Sequence, residues 1–139
     1  VTRDGLKAIH DALEGLGYLH VFKGSKKLRD TETGVTIDFL VTGDYPGDGK
    51  PKPVSFPDPA TTFVDIEGMR VIPLPRLVEL KLASGLTGGV NRLKDFADVV
   101  ALINALGLSR DFADQLDAYV RPKYEELWQG VQDSPRVES

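Results

Sequence analysis

A chain of 139 residues, 41% hydrophobic and 27% charged, has the make-up of one globular domain able to bury a continuous core without metal or disulfide support. Zero cysteines exclude disulfides, thiolate metal sites and a cysteine nucleophile. No apolar run approaches the roughly 18–20 residues that span a bilayer, and a net charge of −4 gives no overall attraction to nucleic acid, so the expectation is a soluble, cytoplasmic protein with no membrane partner.

In chain order, Leu6, Ile9, Leu13 and Leu16 recur at helical spacing, with Thr2 as N-cap and Gly17 as stop, which predicts an amphipathic helix from Thr2 to about Leu16. Residues 18–22 and 26–31 read as short strands, and "TETG" turns the chain into "VTIDFLV". There Val35, Ile37, Phe39 and Val41 alternate with Thr36, Asp38, Leu40 and Thr42, so one face is apolar and Asp38 belongs to the other. Residues 43–59 hold five prolines and three glycines, which predicts a long loop. It is either inert surface or a shaper of a nearby site. "TTFVDIEGMRVI" then reads as a hairpin around Glu67-Gly68.

A helix is expected from about Pro75, carrying Leu77, Leu80 and Ala83 or Ser84 and closing at Gly85. After the connector "GLTGGVN", the strongest helix carries Leu93, Phe96, Ala97, Val100, Ile103 and Leu106, with Gly107 at its C-terminus. Ser109 starts a further predicted helix with Phe112, Leu116, Tyr119 and Val120, which Pro122 interrupts or restarts; "YEELW" adds a turn or two, and residues 129–139 read as a fraying tail. The pattern is α+β: a small, mostly antiparallel sheet packed with helices and a C-terminal helical segment. It divides a single domain, 1–139, into a sheet-containing part, 1–72, and a helical part, 73–128.

Asp38 stands out among the chemistry-bearing residues. Aspartate is disfavoured inside strands because its short side chain competes for backbone hydrogen bonds. It reads either as a solvated carboxylate on an open face or as a metal-binding or general-base carboxylate. The second group is Lys81 with Arg92, Lys94, Asp95 and Asp98. Their three- and four-residue spacings put Arg92, Asp95 and Asp98 on the side of the helix away from Leu93, Phe96 and Ala97, as a salt-bridged exposed face or as substrate contacts. Lys81, between Leu80 and Leu82, has a stem suited to apolar surface and an ammonium that can reach a cleft. His10 and His20 have no metal-ligand spacing and read as structural or surface residues. There is no GxSxG, HExxH or P-loop motif.

Together, "GVTIDFLV", "IPLPRLVELKLASG" and "NRLKDFADVVALI" resemble the C-terminal two-thirds of the nucleotidyltransferase superfamily, in particular the bacterial subgroup related to type IV abortive-infection toxins. The resemblance covers about residues 1–125. It implies a partial nucleotidyltransferase-like fold and metal-dependent transfer of a nucleotide from a nucleoside triphosphate to an acceptor hydroxyl, with pyrophosphate leaving and Mg²⁺ as cofactor. By the same resemblance Asp38 matches the family's third carboxylate, a metal ligand and base; Lys81 would contact phosphates; Arg92, Lys94, Asp95 and Asp98 would contact or orient nucleotide or substrate. The glycine motif and DxD pair that the family carries ahead of its first matching helix have no counterpart before Val1, and Asp4-Gly5 does not replace them. The expectation is therefore a chain inactive or nearly so by itself. The competing expectation is a non-enzymatic module on a degenerate form of this fold, whose exposed sheet edge is covered by a second copy or by a partner protein.

Overall fold

A computed structural model describes residues 1–21 and 25–134 of the chain. The α+β expectation is met, with antiparallel sheets early and helices late. Helix α1 (Arg3–Leu13) starts at Thr2, whose hydroxyl accepts the Gly5 N–H at 2.9 Å, satisfying one of the donors a helix start leaves unpaired. It ends at Leu13 rather than near Leu16. Glu14 is already extended and Gly15 and Gly17 take positive φ, so Leu16 is carried out into solvent.

Strands β1 (Tyr18–His20), β2 (Lys27–Asp30) and β3 (Thr36–Asp38) form one antiparallel sheet in that order. The expected end of the first strand, Phe22, lies outside the described residues. The register sets His20, Leu28 and Ile37 on one face and Lys27 opposite Asp38 on the other. The first face lies on α1: the His10 ring stacks edge-on to His20 at 4.0 Å and faces Phe39 at 6.2 Å. The apolar face expected along 35–41 is covered only toward its end. Val41 is buried, whereas Val35 and Ile37 remain 58% and 38% exposed.

Residues 43–59 form the expected loop, and both ends of it are laid down on the fold. Gly43 and Phe56 exchange backbone bonds with Phe56 and Asp44, and Val54 enters the main core with Phe56 against it. Between them Lys52 folds back, its ammonium donating to the carbonyls of Pro46 and Lys50 and to Asp48. A two-stranded hairpin follows, β4 (Val64–Ile66) and β5 (Met69–Val71). Positive φ at both Glu67 and Gly68 is the two-residue turn whose twist matches paired strands.

Helix α2 (Leu74–Gly85) is capped by Pro73, with Pro75 in its first turn. Val78, Leu80, Leu82 and Ala83 are all buried, more than the single expected stripe, because α2 is covered on several sides. Helix α3 (Leu93–Leu106) has the expected span and ends on Gly107 in left-handed conformation. Its buried face is rotated from the expectation. Val99 and Ile103 are inside, with Phe96 and Leu102 against them, while Leu93 is 61% exposed and Ala97 and Leu106 also face out.

The expected helix after Ser109 is instead a 3-10 segment, Arg110–Gln115, and Tyr119 is exposed. Of the two roles expected of Pro122 the structure has the restart: it sits in the first turn of α4 (Arg121–Asp133), where its missing N–H costs nothing. Helix α4 runs through residues 129–133, which were expected to fray. Residues 135–139 are outside the described chain. Tyr124 anchors α4 in the core, donating its hydroxyl to the Ser109 carbonyl at 2.7 Å, and burial pushes its phenol up to about 12. No described helix is long and apolar enough to cross a membrane.

Candidate functional site

The packing of α3 on α2 turns the charged row of α3 inward. Asp95 and Asp98 face Lys81 of α2, which donates to Asp98 at 2.8 Å and lies 3.6 Å from Asp95. The carboxylates do lie away from Leu93 and are salt-bridged as expected, but the exposed face is corrected: Leu93 faces solvent, and the carboxylates fill the seam between helices. The physical reason is that Lys81 lies between the buried Leu80 and Leu82 and its ammonium emerges at this seam, where a carboxylate one helix away neutralises it. Its hydrogen bond to Asp98 raises the Lys81 pKa and holds Asp98 below the usual carboxylate range.

Ser84, expected only as a position on the apolar stripe, extends the cluster. One turn beyond Lys81, its hydroxyl donates to Asp95 at 2.7 Å. Arg92, at the entrance to α3, reaches Ser84 Oγ at 3.4 Å and donates to the Gly47 carbonyl at 2.8 Å. The proline-rich loop is thus pinned to the seam. Gly47 has φ 75° and lies so close to the end of α2 that an added Cβ would come 2.5 Å from the Thr87 side chain. This was invisible in the sequence because the contact joins residues 45 apart. Lys94 does not join the cluster. It is exposed, forms no ion pair among the described residues, and bears on Asp98 only as a nearby positive charge.

Asp38 is elsewhere. It stands on the sheet face opposite α1, its side chain 64% exposed, with the Lys27 ammonium 3.5 Å away across the register. No hydrogen bond or ion pair among the described residues links it to Lys81 or to α3. The two predicted parts of one site are therefore not brought into contact: Lys81, Arg92, Asp95 and Asp98 converge, and Asp38 does not converge with them.

The described residues do not supply a Mg²⁺ site. No group of three or more histidine, aspartate or glutamate side chains converges among them. A divalent hard cation needs several oxygen ligands, and Asp38 offers one carboxylate beside an ammonium. The histidines, read as structural or surface residues, are one of each, His10 buried and His20 exposed, and their rings meet. Two rings without a carboxylate are still not a cation site for Mg²⁺.

A second buried charge was missed. Glu79 of α2 is almost fully enclosed, yet it binds Arg76 at 2.8 Å and accepts the Asp117 N–H at 2.6 Å. Burial pushes its carboxyl up. The i, i+3 spacing to Arg76 is the one signal that could have revealed it. Compared with protein-family models, curated proteins and solved structures, the chain matches none of them.

Proposed function

We propose that this chain is the later portion of a nucleotidyltransferase-like unit, in which Asp38 receives the proton of an acceptor hydroxyl as that oxygen attacks the α-phosphate of a nucleoside triphosphate and pyrophosphate leaves. The observation that carries the reading is the state of Asp38. Its carboxylate is exposed on an open sheet face and held by one long ion pair with Lys27, the arrangement of a group available to a ligand. Exposed pairs of this kind contribute about 0–1 kcal/mol, so Lys27 is readily displaced. On this reading Lys81 and Arg92 would reach a phosphate as charged donors only by leaving Asp98, Ser84 and the Gly47 carbonyl, which hold them at the seam.

The residues present do not fit Mg²⁺, and we therefore propose that the 139-residue chain alone is inactive or nearly so. Two measurements test this. Titration with Mn²⁺, read by paramagnetic broadening of backbone amides, is expected to broaden Thr36–Leu40 weakly and to lose that broadening in Asp38→Asn. Absence of any Asp38-dependent broadening overturns the assignment of Asp38 as a ligand-facing carboxylate. Incubation with labelled nucleoside triphosphates, Mg²⁺ and hydroxyl acceptors is expected to show no Asp38-dependent transfer. Robust transfer abolished by Asp38→Asn overturns the proposed inactivity.

A further inference from the structure

The outer edge of β3 already carries the beginning of another strand. The Phe39 N–H donates to Lys26 O and the Asp30 N–H to Val35 O, so the backbone groups of Val35, Ile37 and Phe39 point inward to β2. By alternation those of Thr36, Asp38 and Leu40 point outward. At the far end of this edge Val1 is bound: its ammonium donates to the Leu40 carbonyl at 2.8 Å, and its own carbonyl accepts the Thr42 N–H at 2.7 Å. One residue bonding to two positions on either side of Val41 is the pattern of a parallel ladder. Moving back along that ladder, the next two outward donors are the N–H groups of Leu40 and Asp38, and the next two acceptors are the carbonyls of Asp38 and Thr36. None of these four has a backbone partner among the described residues.

We propose that the outer edge of β3 is a strand-receiving surface, and that its occupant is extended polypeptide joined to the Val1 nitrogen, running parallel to β3 in the register Val1 opposite Val41. In that register the second and fourth residues ahead of Val1 stand beside Phe39 and Ile37 on the α1 side of the sheet. They would cover the exposed Ile37 side chain and take the four open backbone groups. The first and third stand on the Asp38 face. Apolar residues at the second and fourth positions and polar ones between are the chemistry this edge selects.

A second copy fits less well. Antiparallel pairing about a twofold axis centred on Asp38 sets two aspartates directly opposite one another, which is destabilising, and Val1 already occupies the edge beside Leu40 and Thr42. The inference does not depend on the nucleotidyltransferase reading, since it rests on backbone geometry alone.

The test uses the full chain carrying Thr-Val-Thr-Val-Thr ahead of Val1, beside the same chain carrying Gly-Ser-Gly-Ser-Gly, with amide hydrogen exchange read residue by residue. The Asp38 and Leu40 amides are expected to exchange roughly tenfold or more slowly in the first than in the second, while Ile37 and Phe39, bonded to β2, change little. Replacing the second residue ahead of Val1 by proline is expected to remove the added protection. Equal exchange of Asp38 and Leu40 in the two proteins overturns the proposal. So does protection in the unextended chain that rises with protein concentration, which would make a second copy the occupant.

Discussion

Replacing Lys81 by methionine keeps the stem on the apolar surface of α2 and removes only the ammonium between Asp95 and Asp98. Asp95 and Asp98 then lose the ammonium that each pairs with in the α2–α3 seam. A charge-assisted hydrogen bond is worth about 1.5–3 kcal/mol, but the Lys81 and Asp98 side chains are each about one-third exposed, so water and salt screen part of it. The expected loss is about 1–2 kcal/mol at pH 7, a fall in Tm of roughly 3–8 °C for a domain of this size. The pH dependence follows from the two shifts. Asp98 is depressed in the fold, so its contribution is present above the ordinary aspartate pKa of 3.8 and is lost as pH falls through the folded value. Lys81 is raised, so its contribution is present below 10.5 and is lost as pH rises through the folded value. The gap between the parent protein and Lys81→Met is therefore flat from about pH 5 to 9 and closes below about pH 4. Thermal or urea unfolding of both proteins across pH 3–9 measures it. Equal stability at pH 7 in low salt, or a gap that persists undiminished at pH 3, refutes the assignment of this pair as the tie between the helices.

Four other outcomes are expected. Gly47→Ala should destabilise by about 2–4 kcal/mol in denaturant unfolding, combining a left-handed backbone with overpacking against Thr87. Glu79→Ala should cost about 2–4 kcal/mol, since it leaves the Asp117 N–H and the Arg76 guanidinium without their buried acceptor. Leu93→Gln should change stability by less than about 0.5 kcal/mol while Val99→Ala costs about 1–3 kcal/mol; the reverse order would restore the unrotated face of α3. Burial and the neighbouring His20 depress the His10 pKa, so its contribution is present above the ordinary value of 6.5 and is lost as pH falls below it. His10→Phe should flatten the pH dependence of Tm between pH 5 and 7.

What was legible in the sequence was local. Thr2 as a cap, Glu67-Gly68 as a hairpin turn and Gly107 as a helix stop depend on a residue's own backbone preferences or on neighbours a few positions away, and each stands in the structure. The face of α3 was not legible, because two different apolar rows satisfy helical spacing and only the choice of partner decides between them. Once Asp95, Asp98 and Arg92 meet Lys81, Ser84 and Gly47, Leu93 has to turn outward. The 3-10 segment at Arg110–Gln115 failed for a related reason: Phe112, Ala113 and Leu116 are all buried, and tertiary burial of those positions overrides a pattern that also fits an α-helix. Of the candidate site, residue types were readable and convergence was not.

That distinction bears on which cluster is open to a ligand. At the seam every charge has a counterpart: Lys81 has Asp98 and Asp95, Asp95 has Ser84, and Arg92 has Ser84 Oγ and the Gly47 carbonyl. A phosphate entering there must displace a partner that is already in place and partly shielded from water, and must approach two carboxylates to do so. Asp38 faces neither cost, since its Lys27 partner stands 3.5 Å away and is solvated. Arg92→Ala separates the two roles. If the seam serves as a structural clasp, the loop at Gly47 gains hydrogen exchange and Tm falls, while Mn²⁺ broadening at Thr36–Leu40 is unchanged. If that broadening disappears with the loop contact, the seam and the Asp38 face are coupled, and the reading of the seam as a clasp alone fails.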